Sequence, residues 1–207
     1  MSPLPSSLTG RTGSGSARPS RRETLADRLD ASCRGVAMLA TEIGHLDRWG
    51  RRLRRRLGQG ARLLVAGNGG SAALGHHLVA ELVGRFEGER PAYSALVLSA
   101  EPASVTAIAN DYGYDQAFAR QVEAHGRPGD VFLALSTSGC SGNLLTAADT
   151  ARRLGIQTWA MTGPAPNPLA DAVDDVVAVP CAMTSTVQDV QQVAVHLLCL
   201  AFDLAEP

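Results

Sequence analysis

From residue 62 onward, short apolar runs alternate with longer amphipathic stretches. The runs are Leu63–Ala66, Ala95–Leu98, Val131–Leu135, Thr158–Met161 and Val176–Val179. A few consecutive apolar residues without polar alternation are the mark of a strand buried on both faces. Helical stretches separate most of them, and strands alternating with helices predict a parallel sheet covered on both sides, joined by right-handed crossovers. In such a sheet ligands bind beyond the carboxyl ends of the strands. The loops after the strands are therefore where chemistry is expected.

Upstream the period is helical throughout. Leu25, Leu29, Cys33, Val36, Leu39 and Ile43 form one stripe, and Leu46, Trp49, Leu53 and Leu57 a second. Ser20-Arg21-Arg22-Glu23 fits a capping box at the start of the first helix. Between the apolar positions of the second stripe lie Arg48, Arg51, Arg52, Arg54, Arg55 and Arg56. They read as the solvated back of the helix; the alternative is a basic face for nucleic acid, which predicts salt-sensitive DNA binding. Gly58-Gln59-Gly60 closes the segment, which is suited to packing on a partner subunit. Residues 1–19 are rich in Ser, Gly, Pro and Arg, contain no acidic residue and lack the apolar stretch of a secretory signal, so they read as a disordered tail. The domain is then 20–207, with its N-terminal helices over 20–58.

Composition narrows the picture. The chain has 207 residues, 45% hydrophobic and 19% charged, enough apolar residue for one domain with a core. The net charge of −1 gives no global sign of a nucleic-acid or anionic-membrane partner. No apolar run approaches the roughly 18–20 residues that span a bilayer. All 19 basic residues are arginine, which excludes a Schiff-base lysine and a phosphate-loop lysine. Cys33, Cys140, Cys181 and Cys199 are scattered with no CxxC pair, and read as reduced thiols of a cytoplasmic protein.

Two loops carry the chemistry. The first run leads into Gly67-Asn68-Gly69-Gly70-Ser71-Ala72-Ala73, where glycines let the backbone approach a ligand and the following helix offers free N–H groups to an anion. The third leads into Ser136-Thr137-Ser138-Gly139-Cys140-Ser141-Gly142-Asn143, whose hydroxyls can wrap a phosphate with neutral donors. Either loop alone could be a helix cap and a turn; together they point to a phosphorylated small ligand. His77 and Glu81 lie one turn apart on the helix after the first loop, and Gln188 and His196 two turns apart on the last helix. If those helices meet, the four form a mixed N and O ligand set suited to zinc, or an acid/base group.

These residues, taken together, resemble the sugar isomerase (SIS) domain family, in its sedoheptulose-7-phosphate isomerase (phosphoheptose isomerase) branch. The matching pieces are Gly67–Ala73, His77, Ala80–Phe86, Thr106–Asp115, Phe118–Glu123, Ser136–Gly139 with Ser141, Met161-Thr162-Gly163, and Gln188 with His196. The resemblance implies an α/β fold: a five-stranded parallel sheet of flavodoxin-like order preceded by the N-terminal helical segment. It implies a homotetramer, one zinc per subunit site, and isomerisation of sedoheptulose 7-phosphate to D-glycero-D-manno-heptose 7-phosphate through an enediol. It assigns metal contacts to His77, Glu81, Gln188 and His196, and acid/base roles to Glu81 and His196. Substrate contacts fall on Asn68, Gly69, Gly70, Ser71, Glu81, Arg85, Asn110, Asp111, Ser136, Thr137, Ser138, Ser141 and Gln188. The sequence departs from the family pattern at Leu74-Gly75-His76, Cys140, Thr186, Asp189 and Gln191. A non-catalytic SIS module that binds a sugar phosphate, or a protein partner such as the replication initiator, is the alternative.

Overall fold

The protein is described here by a computed structural model covering residues 21–206. The expected tail at 1–19 and the Ser20 end of the capping box lie outside the described residues. Five strands form one parallel sheet: β1 (Leu63–Gly67), β2 (Ala95–Val97), β3 (Val131–Ser136), β4 (Gln157–Thr162) and β5 (Asp175–Ala178). Their order is β2-β1-β3-β4-β5. The chain steps outward from β1 to β2, then crosses back to β3 and proceeds the other way. Connections at β1 and β3 therefore leave toward opposite faces, opening a crevice beyond their carboxyl ends. This is the flavodoxin-like order expected.

The helices are α1 (Arg21–Ala37), α2 (Ile43–Gly58), α3 (Gly70–Val83), α4 (Pro102–Tyr112), α5 (Ala119–His125), α6 (Gly142–Arg153), α7 (Pro168–Ala172) and α8 (Thr184–Leu204). Alternate strand residues enter two cores. Leu63, Val65, Val131, Leu133, Leu135, Trp159 and Met161 pack with α2, α3 and α8. Leu64, Ala66, Phe132, Ala134 and Ala160 pack with α5, α6 and α7. β1 and β3 are buried along their whole length, so the uninterrupted apolar runs follow from cover on both faces. No helix among the described residues is long and apolar enough to cross a membrane.

Helix α2 is pinned to the sheet edge. Trp49 stacks on Trp159 at 4.6 Å between ring centres, and its indole N–H donates to Asp175 Oδ2 at 2.9 Å. His45 Nε2 meets Asp175 Oδ1 at 2.7 Å, and its Nδ1 lies 3.2 Å from Glu42. His45 is thus a tie between α2 and β5. The six arginines also depart from a uniformly solvated back. Arg48, Arg51 and Arg55 are exposed. Arg54, however, lies over the rings of Tyr93 and Phe202, and Arg56 donates to Gly129 O at 2.7 Å. Long side chains on the flanks of a docked helix lay their stems along its neighbours. The first stripe behaves oppositely: Leu25 and Leu29 are 63% and 64% exposed, and α1 is tied to α8 by Arg28 and Ser32, each 2.7 Å from Asp189 Oδ2.

Candidate active site

After β1 the chain turns through Gly69 at φ +54, a conformation that side chains oppose. It then enters α3, whose first N–H groups face the crevice between β1 and β3. At Gly70 a Cβ would come within 2.5 Å of Gln188 Nε2. A hydrogen there lets α8 lay Gln188 against the loop. Ser71 is buried behind it.

After β3, Ser136 Oγ accepts from Gly139 N at 3.0 Å, and Ser138 Oγ from Cys140 N at 3.2 Å. Each hydroxyl has accepted and keeps its own proton to donate. Ser136 is buried, Thr137 half-buried and Ser138 exposed, so the hydroxyls are graded from core to solvent. The turn depends on Gly139, at φ +66 with Asn167 where a Cβ would stand. Ser141 begins α6 without capping it through its side chain.

One amide pair joins the two loops. Asn68 Nδ2 donates to Asn143 Oδ1 at 3.0 Å, and Asn143 Nδ2 donates back to Asn68 Oδ1 at 2.9 Å. Tyr114 O–H also donates to Asn68 Oδ1, at 2.9 Å. The loop after β1 is thereby fixed to the start of α6, and Asn68 serves first as a strut.

Beside these loops α3 and α8 bring three polar groups together. His77 Nε2 lies 2.8 Å from His196 Nε2 and 3.6 Å from Glu81 Oε1. The side chains of His77 and Glu81 are 38% and 21% exposed, open to a ligand yet backed by protein. Phe86 tilts against the His196 ring at 5.6 Å. Gln192, one turn before His196, places its Nε2 3.1 Å from His196 Nε2. Beneath lies Cys199, whose thiol is pushed up to about 12, first by burial and then by the nearby charges of Glu81 and Asp203. It stays protonated and is no nucleophile.

Behind the cluster Arg90 holds the end of α3. Its guanidinium donates to the backbone oxygens of Glu81 at 2.5 Å and Leu82 at 2.9 Å, and to Asp203 Oδ1 on α8 at 2.7 Å. It satisfies carbonyls that a helix end leaves unpaired and locks together the two helices that carry His77, Glu81 and His196.

Comparison with known proteins places this geometry. A SIS domain family model matches residues 30–163. The chain belongs to the SIS domain family, in its phosphoheptose isomerase branch. The phosphoheptose isomerase of Streptomyces coelicolor is 60% identical over 158 residues, 76% of this chain and 68% of that protein. The structure of a phosphoheptose isomerase from Francisella tularensis matches with a TM-score of 0.82 at 28% identity, over 89% of this chain and 99% of that one. One from Neisseria gonorrhoeae matches equally, at 30% identity.

Within this SIS domain the residues singled out from sequence separate into groups. Asn68, Gly69, Gly70, Ser71, Ser136, Thr137, Ser138, Ser141 and Gln188 line or back the two loops. His77, Glu81 and His196 converge. Asn110 and Asp111 bond to each other at 2.8 Å on the exposed surface of α4, and Arg85 donates to Glu87 O at 3.0 Å; no described contact joins these three to the cluster. Nor does Gln188 contact the histidines; Gln192 does. No three His, Cys, Asp or Glu among the described residues form a ready metal cage; His77 and His196 bond to one another. Arg90 and Gln192 were not singled out in the sequence, and Phe86 entered only as the end of the Ala80–Phe86 match, with no role. Gln192 alone left a local signal there, its place four residues before His196 on one face.

Proposed function

We propose that the chain is a cytoplasmic aldose–ketose isomerase that interconverts sedoheptulose 7-phosphate and D-glycero-D-manno-heptose 7-phosphate. The observation that carries this is the meeting of His77 and Glu81 on α3 with His196 on α8, beside the two phosphate-type loops. A module that only binds a sugar phosphate or a protein has no need to bring a carboxylate and two imidazoles together. The phosphoheptose isomerase relatives support the same reading. Free cysteines suit a reducing compartment.

The serine loop and the N-terminus of α3 hold the phosphate with hydroxyl and backbone N–H donors. Binding energy at that remote group orients the reacting carbons. Moving a carbonyl between C2 and C1 removes a proton from one carbon and returns one to its neighbour, through an enediol. Glu81 and His196 would divide this work, one at carbon and the other at the oxygens; acid/base catalysis of this kind contributes about 10²–10⁴-fold.

The donor set suits zinc. His77 Nε2 lies 2.8 Å from His196 Nε2 and 3.6 Å from Glu81 Oε1, and donors on a tetrahedral zinc would sit about 3.3 Å apart, so the two imidazoles would need to separate by only a fraction of an ångström. His77, Glu81 and His196 would hold the ion, with Gln188 as fourth ligand, one site per subunit. Zinc, when bound, polarises the carbonyl as a Lewis acid.

A homotetramer completes the reading. Leu25, Leu29 and Ile43 are more than half exposed on α1 and at the start of α2, and α4 has no buried residue. A second chain against α4 would cover Asn110 and Asp111 and bring partner groups to the open side of the site.

The test is a coupled assay on sedoheptulose 7-phosphate. Glu81→Gln and His196→Gln should each lose about 10²–10⁴-fold in kcat with circular dichroism unchanged. Full activity in both, or no turnover by the wild-type protein while it still binds the sugar phosphate, overturns the proposal.

A further inference from the structure

At the amino ends of β1 and β3, opposite the candidate active site, is a cavity of about 470 Å³. Arg55, Arg56, Arg62 and Arg127 line it, with Asp130. Two of them come from the arginine run of α2, which the isomerase reading leaves unused.

The charges of this cavity are uncompensated. Arg56 donates to Gly129 O and to Gln157 Oε1, Arg62 to His125 O, and Arg127 to Gly126 O and Ala124 O. All these acceptors are neutral. Among the described residues, none of the four arginines pairs with a carboxylate. Arg56 Nε is buried without a partner. Asp130 does not neutralise them: it is 3% exposed, and its oxygens accept from the backbone N–H groups of Arg62 at 2.8 Å and Arg127 at 2.9 Å. That carboxylate fastens the two segments that precede β1 and β3, and so builds the wall of the cavity.

We propose that this cavity binds a small molecule carrying two phosphoryl groups. Four guanidiniums, none of them paired with a carboxylate among the described residues, present the concentrated positive charge that a diphosphate would balance. Guanidinium forks match phosphate oxygens in pairs. The volume lies within the range of about 300–1,000 Å³ usual for small-ligand sites. No aromatic side chain lines it, so recognition rests on the phosphoryl groups and not on stacking of a base. The arginines converge on one pit, where a polynucleotide would need a stripe. Strands of five and six residues separate it from the loops of the isomerase site, about 17–20 Å at 3.3 Å per residue. The two sites are distinct, and this one does not depend on the isomerase reading.

The probe is inorganic pyrophosphate, titrated calorimetrically into the full chain with sedoheptulose 7-phosphate held at saturation to occupy the serine loop. One pyrophosphate per chain is expected, bound more weakly as salt rises. Arg55→Gln with Arg127→Gln should weaken it at least about tenfold, the cost of roughly one charge-assisted hydrogen bond, without changing isomerase kcat/KM. Arg55→Gln alone, at an exposed position, should weaken it less and leaves folding untouched. Ser138→Ala should leave pyrophosphate affinity as it is. Absence of binding, binding unchanged in the double variant, or binding lost in Ser138→Ala overturns the proposal. So does orthophosphate binding as tightly as pyrophosphate, or a short DNA oligonucleotide binding more tightly than either.

Discussion

His77 on α3 and His196 on α8 face each other with their Nε2 atoms 2.8 Å apart. Only one proton can sit between two such nitrogens, so the rings act as one unit, with Glu81 at its side. A metal held here would take both nitrogens in place of that shared bond.

Turnover should therefore follow the metal. Chelation should abolish isomerisation, and added zinc should restore it, read in the coupled assay. His77→Ala should bind zinc more weakly in a metal-competition titration, and excess zinc should recover part of its activity. Turnover indifferent to chelator would leave the acid/base pair in place and remove zinc from the reading.

Arg90 is a positioning residue. Its side chain is 8% exposed and that of Asp203 is 16%; breaking such a pair costs about 3–5 kcal/mol. Arg90→Ala should lower Tm by about 2–4 °C per kcal/mol. It should also reduce kcat much more than it raises KM, because the loops after β1 and β3, which the proposal gives to the phosphate, stand apart from it. Arg90→Lys keeps the charge without the fork and should recover only part. Loss of stability with kcat unchanged would assign Arg90 to scaffolding alone.

The strut between the loops should affect binding. Asn143 is 2% exposed, and Asn143→Ala leaves the Asn68 amide short of a partner, at a cost of about 1–3 kcal/mol. The loops then lose their mutual register. KM should rise several-fold while kcat falls less, in steady-state kinetics beside a melting curve.

Acid should release α1 before the domain unfolds. Partial burial alone would raise the Asp189 carboxyl, but the hydrogen bonds from Ser32 and Arg28, with the Arg28 charge, hold it below its ordinary value. A lowered pKa stabilises at pH above the ordinary Asp value of about 3.9, and the contribution is lost as pH falls through the lower folded value. Hydrogen exchange in α1 should accelerate across that window, and Asp189→Asn should remove the pH dependence.

The sheet was legible because buried parallel strands write themselves as unbroken apolar runs. Both loops were legible because glycines and clustered hydroxyls sit at strand ends. His77, Glu81 and His196 were visible as one-turn and two-turn spacings, but their meeting depends on α3 and α8 packing side by side, which no local pattern encodes. Arg54 and Arg56 misled for the same reason: a side chain on the flank of an amphipathic helix is solvated or not according to what docks beside it. Leu25 and Leu29 show the converse. Their helical period was plain, yet a period does not say which surface covers it.

Helix α8 meets a different partner at each level. Gln188 rests on Gly70, Asp189 ties α1, Gln191 donates to Met161 O, His196 meets His77 and Asp203 holds Arg90. One added or deleted residue within it would turn everything beyond by about 100°, and would undo the contacts of Asp203 and His196 together. The 21 residues of α8 act as a fixed ruler, and its count of residues is as constrained as their identity.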